Sequence, residues 1–412
     1  MKRVLKDDDD SIDSDALPDQ PTDDGGYSDD SDANLDELFT ETPEERKLRI
    51  ANEHIANLKK EEDDEDAIGE RLTNEYEEQI GKRFASINLK PVSSERFRAH
   101  DQGRPTAFAL GKGIFFSAAK DGSIVRYQLN PRAKTDISPP SDVSVFCIAY
   151  DASNGKLATG DSKGVVTMWD AENGGILLEM KGHKGPVTGV IFQNKTANIR
   201  SVTNALLLFS CSYDRTVCVW DCENGNCLKT FYGHQMEIIS IDYLGNAVTV
   251  GADQTLREWK YELEKQLVFH GGGSKGSIDC VSLFNMGFCV TGSQDGRICL
   301  WNLSKKKPIS VVPDAHGERK WITSICALKF HKFFASGSHD GKIRFWKVTD
   351  NNKIEFLYEY EIEGYVNDMH FTEKGEYLAV QISQELRLGR WLPKIRAARQ
   401  GVHYIKMEKI SD

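Results

Sequence analysis

Apolar positions change their rhythm twice along this chain. Up to about residue 40, large apolar side chains are sparse among Asp, Ser, Pro and Gly. Nothing there offsets the entropy of ordering, so 1–40 reads as a disordered acidic tail. From Thr42 the spacing becomes helical. Thr42-Pro43-Glu44-Glu45 supplies an N-cap hydroxyl, a proline at the first helical position and a capping-box glutamate at the third. Leu48, Ala51, Ile55 and Leu58 follow on one face, and Ile68, Leu72, Tyr76 and Ile80 make a second stripe that Gly81 ends. Both stripes are narrow, and helices this short are marginal alone in water. They either pack on the body or dock on a partner, and 41–92 reads as a helical extension. From about residue 93 the apolar residues alternate in short runs between turn residues, the mark of strands.

These strands come as a repeat. Ser117-Ala-Ala-Lys-Asp-Gly-Ser-Ile-Val-Arg-Tyr127 and Gly160-Asp-Ser-Lys-Gly-Val-Val-Thr-Met-Trp169 open it. Ser212–Trp220, Gly251–Trp259, Gly292–Trp301 and Gly337–Trp346 continue it, and a degenerate Ser383–Trp391 ends it. The closing aromatics are 42, 51, 39, 42, 45 and 45 residues apart, and a His beside a Gly precedes most units, at His183, His234, His270 and His316. The period resembles the WD repeat, one four-stranded blade in roughly 40–45 residues. Seven units fit residues 93–412. The fold class expected is therefore all-β: a seven-bladed WD-repeat β-propeller with an acidic, partly helical N-terminal extension. The 51-residue interval predicts a longer loop at about 193–204 in the third blade. Either 402–407 or 96–98 is expected to close the last blade, removing its exposed edge.

Charge sharpens the division. Of the chain's 412 residues, 1–95 carry 29 Asp and Glu against 12 Lys and Arg, whereas the rest carries 34 against 40. The body is slightly basic although the whole chain has net charge −11, so nucleic acid stays open as a partner. Met1–Lys6 runs straight into Asp7–Asp10, leaving no apolar stretch for a signal peptide, and the apolar run 205–209 is far short of the about 20 residues that cross a bilayer. None of the nine cysteines forms a Cys-x-x-Cys pair. Cys211, Cys218, Cys289 and Cys299 lie in apolar runs and read as buried hydrophobes in a reducing compartment. No metal site, cofactor or small-molecule substrate is expected.

His, Asp and Ser are plentiful, the raw material of a hydrolytic triad. They recur in phase with the repeat, however, and catalytic groups need appear only once. The WD resemblance implies that they brace the blades, in the sets His183, Asp214 and Trp220; His234, Asp253 and Trp259; and His316, Asp340 and Trp346. No P-loop, dinucleotide fingerprint or His-Glu-x-x-His occurs, and Gly271-Gly-Gly-Ser-Lys-Gly276 lacks the Walker spacing. No enzyme is indicated. In a WD propeller the loops after the fourth strand and between the second and third strands share one end. That pattern puts Lys120, Lys163, Lys184, Arg215, Lys275, Arg319 and Lys320 there, with Lys163 where the family usually has Asp. Such a ring of cations suits RNA phosphates. Arg387, Arg390, Lys394, Arg396 and Arg399 form a second basic stretch, a second candidate RNA contact.

Two segments narrow the family. Glu41-Thr-Pro-Glu-Glu-Arg-Lys-Leu-Arg-Ile50, before the propeller, and Arg387-Leu-Gly-Arg-Trp391, with Ala398-Arg399 after it, resemble the WD-repeat proteins of the U3 small nucleolar ribonucleoprotein. So do Ile68-Gly-Glu-Arg-Leu72 and Leu303-Ser-Lys-Lys-Lys-Pro308. The resemblance runs from residue 41 to the C-terminus. It implies a non-catalytic RNA-binding subunit of a box C/D particle. The expected partners are the box B/C region of U3 small nucleolar RNA, the kink-turn-binding core protein and small-subunit processome proteins. The expected place is the nucleolus of the nucleus, in pre-ribosomal RNA processing. The alternative is a WD-repeat protein-binding scaffold, such as a chromatin or ubiquitin-ligase adaptor.

Overall fold

The computed structural model describes residue 49 and residues 86–410, apart from 101–102, 140, 194–205, 272, 274 and 390–391. The tail 1–40, the residues of both helical stripes, most of the 193–204 loop, Arg390 and Trp391 lie outside the described residues.

Seven antiparallel sheets of four strands each make up the rest. Blades 1 to 6 span 105–138, 145–181, 187–232, 238–270, 278–312 and 322–361, each a meander of consecutive strands. The first strands of neighbouring blades touch all the way round, blade 7 returning to blade 1, so the ring is closed. The protein is a seven-bladed β-propeller.

Burial follows from this layering. Each blade is sandwiched between two others, so the second strand of blade 3, Leu207–Ser212, is buried at every position. Its fourth strand, Cys227–Tyr232, forms the outer rim and fully buries Phe231 alone. Apolar clusters fill the gaps between blades, as Phe284, Leu300, Phe334 and Trp346 do between blades 5 and 6. Glycine permits the close approach at Gly337, where a Cβ would stand 2.4 Å from Val366 of blade 7. The turn from second to third strand needs a left-handed residue. Gly122, Gly164, Gly296 and Gly341 supply it in four blades, Arg215 (φ 71°) and Gln254 (φ 60°) in two others. This need explains why Asp-Gly recurs in the repeat.

Blade 7 departs from the repeat. Its strands, from the channel outward, are Tyr365–Phe371, Tyr377–Ser383, Gly401–Lys409 and Leu89–Phe97. The expected seventh unit, Ser383–Trp391, does not supply the third strand. Residues 384–389 and 392–400 belong to a long connection, and the strand begins at Gly401. The reason is apolar content: Val402, Tyr404, Ile405 and Met407 are all buried, whereas 384–389 offers little to bury and turns at Gly389 (φ 66°). Both terminal segments close the blade, one as third strand and one as fourth. The fourth starts at Leu89, somewhat ahead of residue 93, with Leu89 and Phe97 buried at its two ends.

Candidate nucleic-acid interface

The polar residues that recur with the repeat meet inside the blades. In blade 3, Trp220 Nε1–H donates to Ser210 Oγ at 2.7 Å, Ser210 lies 2.7 Å from His183 Nε2, and His183 Nδ1 lies 3.0 Å from Asp214. One arrangement satisfies every group: a neutral imidazole protonated at Nδ1. Blade 4 repeats it with Trp259, Thr249, His234 and Asp253, and blade 6 with Trp346, Ser336, His316 and Asp340. Burial alone would raise the Asp214 carboxyl. Hydrogen bonds from His183, Thr216 and the Lys184 N–H overcome it and hold the group well below the usual carboxylate range. Asp253 and Asp340 are lowered in the same way.

Other blades vary the scheme. Blade 2 has no such His; Trp169 donates to Thr159 at 2.9 Å, and Asp161 takes over the turn by accepting from the Lys163 and Val165 N–H groups. Ahead of blade 5, His270 is exposed at the end of blade 4's outer strand rather than part of a brace, while inside blade 5 Trp301 donates to Thr291 at 2.9 Å. Blade 1 uses a histidine that the Gly-His pattern missed. His100 sits between Ser123 (2.8 Å) and Ser117 (2.9 Å), with Ser123 donating to Asp121.

These braces decide which charges on the loop end stay available. The Lys163, Lys184 and Lys275 backbone N–H groups donate to Asp161, Asp214 and Asp295 at 2.8, 2.8 and 3.0 Å. Each turn carboxylate is thus occupied by main chain while the lysine ammonium stays in solvent. Lys163, Lys184 and Arg215 form a continuous arc, because their loops touch. A Cβ on Gly164 would meet the His183 and Gly185 carbonyls at 2.7 and 2.9 Å, and one on Gly185 would meet Asp214 N at 3.1 Å. All three are exposed, and no exposed carboxylate stands in the loop residues 161–164, 182–186 or 212–215. Tyr232, 71 % exposed and paired across the ladder with Thr216, stands at the end of the arc. An aromatic closing an outer strand was the one sequence signal for it.

The remaining candidates are scattered around this arc. Lys275 and Arg319 are exposed, and Lys320 is half-buried beside His339. Exposed carboxylates on the same end, Asp142, Glu318 and Glu363, lie on the loops into blades 2, 6 and 7. Lys120 is no free cation: its Nζ lies 3.6 Å from Glu385, which also takes Arg104 at 2.8 Å and Lys394 at 2.9 Å. Burial depresses the Lys120 ammonium and Glu385 partly restores it. Arg387 points inward, its guanidinium bonded to the carbonyls of Thr188 and Ile239 at 3.1 Å each. Among the described residues no group of three or more His, Cys, Asp or Glu is placed to hold a metal, and no helix is long and apolar enough to cross a membrane.

The WD domain, G-beta repeat family matches residues 174–221, 225–260, 264–302 and 306–347. Human U3 small nucleolar RNA-interacting protein 2 is 32 % identical over 404 residues, covering 90 % of this chain and 83 % of that protein. The chain belongs to the U3 snoRNP-associated WD-repeat family. Within the family, ribosomal RNA-processing protein 9 of Saccharomyces cerevisiae is 26 % identical over 335 residues, covering 63 % of this chain and 57 % of its own. The solved structure of U3-55K superposes with a TM-score of 0.71 at 32 % identity, over 77 % of this chain and all of that one.

Proposed function

We propose that this family member is a non-catalytic, U3 small nucleolar RNA-binding subunit of a box C/D ribonucleoprotein. It works with the kink-turn-binding core protein and small-subunit processome proteins in pre-ribosomal RNA processing in the nucleolus. The observation that carries the reading is the arc of Lys163, Lys184 and Arg215, exposed cations on touching loops whose nearby carboxylates are occupied by backbone. Phosphates can approach such an arc, and Tyr232 beside it offers a face for an unstacked base. The polar side chains that elsewhere make triads are engaged in bracing here, which leaves the propeller a binding platform.

The test is binding of a U3 transcript to the chain carrying Lys163→Glu, Lys184→Glu and Arg215→Glu. Affinity should fall by roughly a hundredfold at moderate salt, and the salt slope should flatten by about two, as expected for losing three phosphate contacts. Unaltered binding by a variant with wild-type melting would remove this arc from the interface. In cells, crosslinked RNA should be enriched in the U3 box B/C region. Background RNA alone, with complexes that resist nuclease, would point to a protein-binding scaffold instead.

A further inference from the structure

The first strand of every blade bulges at the same place, and the bulge residue is Thr106, Phe146, Thr188, Ile239, Asp279, Thr323 or Asn367 in turn. A bulge takes its residue out of the ladder, so its carbonyl needs another partner. At six of the seven junctions, side chains at or beside the bulges tie one blade to the next through the carbonyl just ahead of the next bulge. Thr106 donates to Val145 O at 2.7 Å, Thr188 to Ile238 O at 2.8 Å, Thr323 to Val366 O at 2.7 Å and Asn367 to Pro105 O at 2.9 Å. The Cys147 and Cys280 thiols do the same for Val187 O and Ile322 O at 3.6 Å.

Arg387 completes this scheme from the far side. It belongs to the connection of blade 7, yet its two guanidinium nitrogens reach the bulge carbonyls of Thr188 in blade 3 and Ile239 in blade 4. In a ring of seven these are the two blades opposite blade 7, so the side chain spans the central channel. Its backbone is fixed as well: Arg387 N–H donates to Asn367 Oδ1 at 3.0 Å, and Asn367 Nδ2 donates to Glu385 O at 3.0 Å. Further along the connection, Tyr365 Oη–H donates to Pro393 O at 2.6 Å, and Lys394 pairs with Glu385 at 2.9 Å.

We propose that Arg387 is a positioning residue rather than an RNA contact. It pins the connection, described over 384–389 and 392–400, across the channel mouth and thereby sets where Lys394, Arg396 and Arg399 stand on the RNA-binding end. The proposal rests on the RNA-binding reading above for its second half only. A lysine retains the charge but offers one nitrogen in place of the planar fork whose two nitrogens reach the separate carbonyls of Thr188 and Ile239, so Arg387→Lys separates the roles.

The experiment compares the full chain with its Arg387→Lys and Arg387→Met variants. Hydrogen exchange over 384–400 is measured without RNA, and binding of a U3 transcript is measured across a salt series. Pinning predicts that both variants stay folded and exchange this segment at least about tenfold faster than wild type. It also predicts that both bind the transcript on the order of tenfold more weakly, with the salt slope unchanged in Arg387→Lys. A direct phosphate contact predicts the reverse: Arg387→Lys near wild type in both assays, and a slope lower by about one in Arg387→Met. Unchanged exchange in both variants overturns the pin. Faster exchange with unchanged binding overturns the positioning role. If the wild-type chain itself ignores the transcript, the RNA reading fails, while the exchange data still decide the pin.

Discussion

In blade 3 the indole of Trp220, the hydroxyl of Ser210 and the imidazole of His183 form a hydrogen-bonded chain that ends on Asp214. In blade 7 the same ladder positions hold Ile405, opposite Leu378, and Val380, all fully buried and apolar in one cluster. Blade 3 carries its brace within one repeat. Blade 7 is instead completed by Leu89–Phe97, drawn from the other end of the propeller, and by the connection that Arg387 anchors across the channel. A blade built from consecutive strands can use a local polar network, which is costly if any member is missing. A blade assembled from both ends of the chain gains its order by closing the ring, and apolar packing suffices inside it.

Removing the closing strand should have the largest effect. A chain lacking 1–97 loses Leu89, Phe97 and the whole outer ladder of blade 7. Burial of the two side chains alone contributes roughly 4 kcal/mol, so denaturant unfolding should shift by at least about that much. A chain lacking only 1–85 keeps that ladder and is the reference against which the shift is read. Equal stability of the two truncations would show that the ring does not depend on its outer seventh-blade strand.

Next in size is a pH effect centred on the brace of blade 1. His100 contacts two serine hydroxyls in place of an aspartate, and burial pulls its imidazole down to about 4 against the pull of Asp121. The folded state therefore favours the neutral ring and the unfolded chain binds the proton more strongly. Stability is complete above the unfolded value of 6.5 and falls as pH drops from there to about 4. The window corresponds to about 3 kcal/mol. Asp214, Asp253 and Asp340 are depressed, so their contribution persists until pH passes below the usual carboxylate value of 3.8. Urea midpoints measured between pH 7 and 4.5 should decline in the wild type and decline less in His100→Gln. Blade 7 acts on this slope in both directions: burial lowers the His403 imidazole, which adds to the decline, while at His370 Asp368 overcomes burial and raises the imidazole, which opposes it.

The same contrast marks what the sequence revealed. Six blades were legible because turn residue, hydroxyl and closing aromatic lie within one repeat and share its phase. Blade 7 was legible only in part: 383–391 imitates the repeat phase, and 402–407 and 96–98 read as alternative closing strands, whereas Gly401–Lys409 and Leu89–Phe97 both pair into the blade, a choice that only the long-range pairing decides. The cations divide in the same way. Lys163 and Arg215 sit on turns whose geometry comes from neighbouring residues, and Lys184 on a loop held by the turn Asp214 of the blade it enters. Lys120 and Arg387 have their roles set by Glu385 and by carbonyls of blades 3 and 4, partners remote in the chain. His100 escaped notice because it stands in Ala99-His100-Asp101, with no glycine beside it.

The smallest expected effect is also the sharpest check on what makes a brace. His183 and His270 look alike as sequence, each a histidine beside a glycine ahead of a strand. His183 is buried between Ser210 and Asp214, and its removal leaves a hydroxyl and a carboxylate without their partner. His183→Ala should therefore cost about 2 kcal/mol, mostly the penalty of the orphaned groups. His270 is exposed on the last residue of its strand, so His270→Ala should change stability by less than about 0.5 kcal/mol. Chemical denaturation of the two variants measures both. A loss at His270 as large as that at His183 would mean that the motif itself stabilises the blade, whatever the ring touches. A small one confines the brace to histidines with both nitrogens engaged, and leaves blade 5, like blade 7, held chiefly by its packing.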